Sequence, residues 1–304
     1  MVERLQYLYD TCFSDSKEFS EFVFRHKFKP KNALWTAVDG QPVSALFIED
    51  KYIYLGGVKL RCPYIWGVCT HPDYRRKGLA EALMQQAHSL LLRRGATVCA
   101  LHPFKHSYYQ KMGYNTYTRV NEYKVSGAKD CGLYTLRASG RGEEHLLLKL
   151  YEEFMSAYNG YVVRDIKKMR YAVRELTADG RIDIISLSGK DIGYIARDNE
   201  GFIAEFCCAD TGVLLSVPQL NGFIVNLPYG APLGTPVDFT MIKMLNRPAF
   251  LRSAGYDDIS RFKDIPDGDL VKYAFGSYGD FSLEVPQGLE GVFARRSNYV
   301  FDKY

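Results

Sequence analysis

The first third of the chain alternates between amphipathic segments and apolar runs that are broken by turn residues. In "ERLQYLYDTCF" and "SKEFSEFVFRHKF" the apolar positions recur every three or four residues, which predicts two helices. In "ALWTAVDGQPVSALFIED" and "KYIYLGGVKLRCPYIWGVCT" an Asp-Gly or Gly-Gly turn separates apolar, β-forming runs, which predicts hairpins. Helices and strands in this order predict an α/β fold with mixed sheets.

A similar order of helices and hairpins returns later in the chain. "EEHLLLKLYEEFMSAYNGYVVRDIKKMRYAVREL" predicts two helices with a break at Asn-Gly, and "RIDIISLSGKDIGYIARDNEGFIAEFCCAD" predicts strands joined by turns. The stretch between the two copies is rich in glycine, as domain boundaries often are. We therefore predict a first domain at residues 1–130, a second domain at 143–240, and a short β-rich C-terminal region at 241–304.

One stretch, "YIWGVCTHPDYRRKGLAEALMQQAHSLLLRRGA", combines a buried strand, a basic turn and a helix. The apolar run around Val68 is typical of a strand that is buried on both faces, and Pro72 ends it. Apolar residues at helical spacing from Leu79 onward predict a helix that packs on the sheet. The helix should therefore begin close to Gly78.

The start of this helix is suited to binding an anion. Helix N-termini carry free N–H groups and the positive end of the helix dipole, and Gly78 allows close approach to the backbone. Arg75, Arg76 and Lys77 add positive charge. The pattern predicts a pyrophosphate site, and the alternative is a solvated basic turn before an ordinary surface helix. It is neither a Walker A loop nor a GxGxxG motif.

This stretch resembles motif A of the GNAT superfamily of acyl-CoA N-acyltransferases. That motif is an apolar strand, then P-x-x-[QR]-x-x-G-x-[GA], then a helix. Val68, Pro72, Arg75, Gly78 and Ala80 stand at its positions here. The resemblance implies that acetyl-CoA is the cosubstrate.

The resemblance also implies which residues hold acetyl-CoA. The backbone amides at the start of the helix would bind its pyrophosphate, and the edge of the preceding strand would pair with its pantetheine amides. The implied binding residues are Val68, Cys69, Thr70, Arg75, Arg76, Lys77, Gly78, Leu79 and Ala80.

A second GNAT feature follows at the expected distance. "HPFKHSYYQKMGYNTY" resembles the superfamily's Y-x-x-x-G-[FY] element, with Tyr109, Gly113 and Tyr114 at its fixed positions. The resemblance implies that Tyr109 protonates the leaving thiolate. A phenol has a pKa of about 10, close to that of an alkyl thiol, so this proton transfer is nearly matched. Alternatively Tyr109 fills the core and Tyr108 is the donor, while Tyr114 is expected in the core.

The general base is not evident near the central strand, because "RCPYIWGVCT" contains neither an acid nor a histidine. The whole chain resembles acetyltransferases of the Eis (enhanced intracellular survival) type, in "YDTCFSDSKEFSEFVFRHKF", "YIWGVCTHPDYRRKGLA" and "HPFKHSYYQKMGY" above all. That type has a catalytic GNAT domain, a degenerate second GNAT domain and a C-terminal domain like sterol carrier proteins. Its terminal carboxylate acts as the base.

Carried over to this chain, the Eis-type base would be the α-carboxylate of Tyr304. The sequence departs from the pattern here, because residues 252–304 are too few for a full sterol-carrier-like domain. We therefore expect only a reduced remnant of that domain. The role of Tyr304 as base stands beside two alternatives, a bridging water and a tail that takes no part in catalysis.

Composition excludes several other classes of function. The net charge of +4 comes from basic and acidic residues that are mixed along the chain, which does not indicate nucleic-acid binding. His102 and His106 have no carboxylate or cysteine at ligand spacing, and the seven cysteines form no CxxC, so we expect no metal. No apolar span of membrane length and no signal peptide stands out, so we expect a cytoplasmic protein that does not bind membranes.

The sequence thus predicts an N-acetyltransferase that moves the acetyl group of acetyl-CoA directly to a primary amine on a small molecule or peptide. A longer acyl-CoA as donor is one alternative. A non-catalytic acyl-CoA sensor or partner-binding protein on the same scaffold is another. Trp66 and Tyr64 either line the acceptor pocket or fill the core. The Eis-type resemblance favours a homo-oligomer, whereas the shortened tail favours loss of the interface between its subunits. The oligomeric state therefore stays open.

Overall fold

The computed structural model describes residues 1–300. Within them the α-helices are α1 (Val2–Cys12), α2 (Lys17–Phe22), α3 (Leu79–Arg93), α4 (His106–Gln110), α5 (Glu144–Met155), α6 (Ile166–Leu176), α7 (Gly212–Ser216), α8 (Arg247–Ser253) and α9 (Asp267–Phe275). The strands are β1 (Ala33–Val38), β2 (Gln41–Glu49), β3 (Tyr52–Leu55), β4 (Val58–Arg61), β5 (Tyr64–Thr70), β6 (Val98–Leu101), β7 (Asn115–Thr116), β8 (Arg119–Lys124), β9 (Tyr134–Ala138), β10 (Gly180–Leu187), β11 (Lys190–Asp198), β12 (Phe202–Cys207), β13 (Ile224–Pro228), β14 (Thr235–Asp238) and β15 (Met241–Met244).

The chain forms two compact units that are not contiguous in sequence. The first contains Met1–Tyr117 and Thr240–Val271, and the second contains Thr118–Phe239 and the described residues from Lys272 onward. These bounds differ from the predicted domains, because β8 belongs to the sheet of the second unit and β15 to the sheet of the first. Hydrophobic pattern identifies a strand but not the distant strand with which it pairs, so the sequence did not reveal this exchange.

The first unit is built on a six-stranded mixed sheet in the order β1-β2-β5-β6-β15-β7. Its neighbours are antiparallel except β5 and β6, which are parallel. Helix α3 connects the two parallel strands and buries one face against the sheet, through Leu83, Met84, Ala87 and Leu91. Helix α1 packs against β2 and β5. The predicted α/β architecture is confirmed.

Strand β5 carries a bulge in the middle of this sheet. Ala45 lies opposite Cys69 and Phe47 lies opposite Trp66, so β5 has one more residue than β2 between these pairs. Gly67 lies in the bulge with a φ of +58°. A Cβ atom there would lie 2.7 Å from Cδ2 of Phe47. The bulge therefore requires glycine for both its backbone angle and its lack of a side chain.

Beyond the bulge, β5 loses its partner on one side. The parallel pairing with β6 is recorded only at Tyr64 and Ala100, where the Ala100 N–H also donates to the Pro63 carbonyl at 3.0 Å. Strand β6 ends at Leu101, whereas β5 continues to Thr70. In the part of the chain that the structure describes, the last residues of β5 have no strand partner on this edge. The sheet is thus open at the point where α3 begins.

The second unit repeats this central arrangement on a seven-stranded sheet in the order β14-β8-β13-β12-β11-β10-β9. Its one parallel pair, β12 and β13, is joined through only two residue pairs, Phe202 with Ile224 and Ile203 with Val225. The helix between these strands, α7, has five residues, against fifteen in α3. Both sheets are therefore mixed sheets with an antiparallel half on each side of a parallel junction.

The C-terminal region differs from the β-rich prediction. After β15 the described residues form α8, α9 and short 3₁₀ turns, and strand-like pairing within them is limited to one isolated bridge, between Asn159 and Asn298. The β-forming residues of this region instead lie on the buried face of α9, where Leu270, Val271 and Phe275 are almost fully buried. Helical spacing of these side chains explains why the stretch is helical.

No helix within residues 1–300 is long and apolar enough to span a bilayer.

We expect Gly67→Ala to lower the free energy of unfolding by about 1–3 kcal/mol, because the new Cβ meets Phe47 and the left-handed backbone is strained. Gly56→Ala is the matched control, since Gly56 has a φ of +54° and open space around its Cβ position. Urea unfolding of both variants would measure the difference. Equal losses in the two variants would show that the bulge tolerates a side chain.

Candidate active site

A tight turn joins the open end of β5 to α3. The His71 N–H donates to the Val43 carbonyl at 2.9 Å, which ends the pairing of β5 with β2. A short 3₁₀ turn, Pro72–Tyr74, follows. The Arg75 Nε then donates to the Thr70 carbonyl at 3.1 Å, so the basic residues are held against the end of the strand.

The N-terminus of α3 has open backbone N–H groups. Gly78 is the N-cap residue with a φ of +74°, and no side chain caps the helix. A Cβ at Gly78 would meet no atom within 4 Å. Arg76, two residues earlier, is also left-handed, with a φ of +64°. Left-handed residues at this spacing direct successive N–H groups into a concave, anion-binding surface.

The charges at this turn are available to a ligand. Arg75, Arg76 and Lys77 are all exposed. Among residues 1–300 no carboxylate forms an ion pair with any of the three. The Lys77 ammonium lies 4.7 Å from the centre of the Tyr74 ring, which positions it without neutralising it. Leu79 and Ala80 follow in the first turn of α3, so the chemistry of this surface suits a pyrophosphate.

The neighbouring end of β5 is fixed from one side only. The Ser44 hydroxyl donates to the Cys69 carbonyl at 3.0 Å and lies 2.9 Å from the Thr70 hydroxyl oxygen. Val68 is half-buried and packs at the border of the cluster formed with α3. The other edge of this segment is open, as the topology of the sheet requires.

Tyr109 lies on α4 as a buried member of the same core cluster and is 3% exposed. Its ring packs edge-on against Tyr108, Phe104 and Tyr114, at centroid distances of 5.1, 5.6 and 5.9 Å. Burial raises the pKa of Tyr109, and the neighbouring Tyr108 adds to the effect. The hydroxyl therefore keeps its proton at neutral pH, which is the form that an acid requires.

Tyr114 is enclosed in the core rather than aimed at the site. Its hydroxyl lies 3.0 Å from Nε2 of His88 and 3.2 Å from Sγ of Cys99. Burial, with a contribution from the Lys243 cation, lowers the pKa of His88 to about 4. His88 is thus neutral at neutral pH. The Lys243 ammonium of β15 also donates to the Met112 carbonyl at 2.5 Å, which ties β15 to the end of α4.

Trp66 and Tyr64 are both buried. Trp66 packs on Phe47 at a ring distance of 4.6 Å and on Tyr9 at 6.3 Å. Among the residues described, no hydrogen-bond acceptor lies in reach of its buried Nε1. The Tyr64 ring is covered by the Lys51 ammonium at 4.9 Å.

Sequence reasoning missed a carboxylate that lies beside the central strand. Glu49 ends β2 opposite Tyr64, and its Oε2 lies 3.2 Å from the Lys27 ammonium and 3.6 Å from that of Lys51. Both lysines are buried. Strand β5 itself carries no acid, whereas Glu49 is brought beside it by strand pairing. Its position opposite Tyr64 follows only once the register of β2 and β5 is known.

The sequence also did not indicate that Cys12 belongs near this site. Cys12 is the last residue of α1, and this helix packs against β5. The hydrogen bond from Cys69 lowers the pKa of Cys12 to about 6 against the opposing effect of burial, and Arg75 and His71 add to the lowering. No periodicity or motif links residues so far apart in the chain.

Two further predictions concern a metal site and the base at the C-terminus. Within the described residues no group of three or more His, Cys, Asp or Glu side chains is arranged to hold a metal ion, and His102 and His106 join no such group. Tyr304 lies outside the described residues, so its role as the base stays a prediction.

The low pKa of His88 predicts a loss of stability in acid. Because the unfolded histidine has a pKa near 6.5 and the folded one about 4, the unfolded state takes up the proton first as the pH falls through this range. We expect His88→Gln to reduce the difference in unfolding free energy between pH 7 and pH 5 by about 1–2 kcal/mol. Urea unfolding at both pH values measures it, with His145→Gln, at an exposed helical position, as control. An unchanged difference would contradict the assignment to His88.

Comparisons with known proteins agree with this geometry. Residues 2–117 match the family described as "Acetyltransferase (GNAT) domain". No curated protein matches the chain in sequence. A GCN5-related N-acetyltransferase from Kribbella flavida has a TM-score of 0.68 at 16% identity, covering 100% of this chain and 96% of its own.

Two further solved structures are similar. Eis1 from Mycobacterium abscessus has a TM-score of 0.64 at 15% identity, covering 99% of this chain and 97% of its own. A protein from Enterococcus faecalis V583, described as a probable N-acyltransferase, has a TM-score of 0.65 at 18% identity, covering 83% of this chain and 72% of its own. The expected similarity to Eis-type proteins is confirmed at the level of the fold. Residues 2–117 of this chain are therefore similar to GNAT acetyltransferase domains, and the chain shares its fold with these solved structures.

Proposed function

We propose that this protein is an N-acetyltransferase that moves the acetyl group of acetyl-CoA to a primary amine. The observation that carries the proposal is the meeting of two features at one point of the first sheet. These are the uncapped, positively charged N-terminus of α3 and the unpaired edge of β5. A pyrophosphate group and a chain of amides are the chemical groups that these features suit, and CoA contains both.

The turn before α3 would hold the pyrophosphate. The backbone N–H groups from Arg76 to Ala80 donate to its oxygens, and the left-handed angles of Arg76 and Gly78 direct them toward one point. The side chains of Arg75 and Lys77 add charge at the rim. Hydrogen-bond donors that are already in place bind phosphate oxygens most tightly, because binding then has no entropic cost for ordering the donors.

The open edge of β5 would hold the pantetheine arm. The segment Val68–Thr70 offers backbone N–H and C=O groups in the alternation that an added strand would meet. A backbone N–H of this segment polarises the thioester carbonyl, since negative charge develops on that oxygen as the amine attacks. Acetyl-CoA supplies the acetyl group as a thioester.

Transfer is direct. The free amine attacks the carbonyl carbon, the new C–N bond forms, and the C–S bond breaks. Tyr109 donates its proton to the leaving sulfur. The proton that the amine loses passes to a base, for which the α-carboxylate of Tyr304 or a water is the candidate. No step in this scheme uses a metal ion.

The acceptor is a small molecule or a peptide that carries a primary amine. We place the reaction in the cytoplasm. All seven cysteines are free thiols in the structure, which suits a reducing compartment.

Gly78→Glu is expected to weaken acetyl-CoA binding at least tenfold, because it puts a carboxylate where the pyrophosphate binds. Gly95→Glu is the matched control, because Gly95 lies at the other end of α3 with a φ of +76° and open space around its Cβ position, against +74° for Gly78. Calorimetric titration measures both affinities, and we expect the control to stay within about twofold of the wild type. If both variants bind acetyl-CoA as tightly as the wild type does, the N-terminus of α3 is not the pyrophosphate site.

The alternative, a non-catalytic acyl-CoA sensor, is favoured by one observation. Burial makes Tyr109 a weaker acid than a free phenol. The two functions differ in turnover, since a sensor binds acetyl-CoA but acetylates no amine in a panel of polyamines, aminoglycosides, amino acids and peptides.

Tyr109→Phe should lower kcat by about 10²–10⁴-fold and leave the Kd for acetyl-CoA within about twofold, because it removes only the transferred proton. Tyr108→Phe is the control at the adjacent position, and it should retain turnover. Steady-state kinetics with the best amine of the panel, together with calorimetry, tests this. A normal kcat in Tyr109→Phe with a reduced kcat in Tyr108→Phe would assign the acid to Tyr108.

A further inference from the structure

The helix that carries Tyr109 is too short to hold its own position. Helix α4 has five residues, and within the described residues no side chain caps its N-terminus. A single helical turn is marginal in water, because its few hydrogen bonds do not offset the ordering of its backbone. The contacts of the Tyr109 side chain within residues 1–300 are ring contacts with other aromatic side chains. The position of its hydroxyl therefore depends on whatever fixes the backbone of α4.

The turn that follows α4 folds back onto Tyr109, and we call residues 109–114 the α4 turn. The N–H groups of Met112 and Tyr114 both donate to the Tyr109 carbonyl, at 3.0 and 3.2 Å, and the N–H of Gly113 donates to the Gln110 carbonyl at 2.9 Å. Tyr114 is buried in the core, 1% exposed, so the far end of the turn is fixed. A shift of the turn would accordingly move Tyr109.

A lysine from a distant strand holds the middle of the α4 turn. Strand β15 pairs with β7, which directly follows the turn. Lys243 on β15 therefore lies beside the turn, and its Nζ donates to the Met112 carbonyl at 2.5 Å. A hydrogen bond from an ionised donor is roughly twice as strong as one between neutral groups. Within residues 1–300 no carboxylate forms an ion pair with Lys243, so no anion competes with this carbonyl.

The glycine of the α4 turn leaves the space that this ammonium occupies. Gly113 has a φ of +81°, and a Cβ atom there would lie 2.7 Å from Nζ of Lys243. A side chain at this position would displace the ammonium from the Met112 carbonyl. Glycine is thus required here both by the left-handed backbone and by the lysine.

We propose that Lys243 is a positioning residue for Tyr109, whose ammonium holds the α4 turn and thereby keeps the tyrosine hydroxyl where it donates its proton. This inference rests on the proposed function, in which Tyr109 is the acid. Lys243 acts through the turn and takes no part in the proton transfer itself. Misplacing a reacting group by about 1 Å can lower a rate by about 100-fold, so the contribution of Lys243 should appear in kcat.

Hydrogen exchange measured by mass spectrometry tests the contact without any assay of activity. Lys243→Met keeps the length of the side chain and removes its charge. We expect the amides of the α4 turn to exchange about fivefold faster or more in this variant, and those of α3 to stay unchanged, because only the turn loses a contact. Lys111→Met is the matched control, since Lys111 is an exposed lysine of the same turn. Unchanged exchange in Lys243→Met, or equally faster exchange in α3, would overturn the proposal.

A double-mutant cycle tests whether Lys243 acts through Tyr109. We expect Lys243→Met to lower kcat by about 10–100-fold and to leave the Kd for acetyl-CoA within about twofold, whereas Lys111→Met keeps the wild-type kcat. In the Tyr109→Phe background the same change should have no further effect, because the group that Lys243 positions has been removed. A residue with a merely structural role would lower kcat by the same factor in both backgrounds, and that result would contradict the proposal.

Gly113→Ala is an independent second variant, because its Cβ displaces the ammonium while Lys243 is still present. We expect it to reproduce the loss of kcat in the wild type and to add little in the Lys243→Met background. Independent losses that multiply would count against the proposal.

The two kinds of measurement separate this inference from the proposed function. If the wild type acetylates no amine of the panel, the proposed function fails and the positioning role fails with it, while the exchange data still show whether Lys243 holds the α4 turn. If the wild type is active and Lys243→Met retains its kcat, the positioning role alone is wrong.

Discussion

The arrangement of the first unit depends on one backbone constraint, the bulge in β5. A parallel pair in the middle of a sheet normally stays hydrogen-bonded along its length, because each unpaired N–H and C=O group has an energetic cost. Here the extra residue at Gly67 coincides with the loss of pairing to β6, and the strand continues with one free edge. The helix that follows starts beside that edge. A ligand that supplies both a strand-like amide chain and an anion satisfies two sets of backbone groups at once.

The second unit has the same strand arrangement but lacks the long helix and the basic turn of the first unit. Its parallel strands also meet only briefly, but the helix between them has five residues and no basic turn before it. Its core instead contains a buried ion pair, in which Arg164 donates to Glu205 at 3.0 Å and Tyr194 adds a hydrogen bond at 2.8 Å. Removing one member of such a pair leaves a buried charge, at a cost of about 3–5 kcal/mol. The buried charges of Arg164 and Glu205 are thus matched with each other, as suits a structural role.

What the sequence predicted correctly was local. Turn dipeptides and apolar spacing identified the hairpins and helices of both units, and the P-x-x-R-x-x-G pattern identified the turn before α3, because each depends on residues close together in the chain. What it did not predict depends on distant pairing. Glu49 lies beside Tyr64 through the register of β2 and β5, and Cys12 is brought toward β5 by the packing of α1. Strand β15 joins a sheet whose other strands precede it by more than a hundred residues. Local patterns carry no information on these contacts.

Strand β15 comes late in the sequence but belongs to the first sheet, and this has a consequence for folding during synthesis. Strand β6 pairs with β15 from Leu101 with Met241 to Val98 with Met244. During synthesis on the ribosome the first sheet is therefore incomplete until the residues of β15 have emerged, and until then β6 presents a bare edge to other chains. The first unit cannot finish folding ahead of the rest, although the turn before α3 and Tyr109 are translated long before β15. Heterologous production of this unit should accordingly keep the strand Met241–Met244 in the same polypeptide.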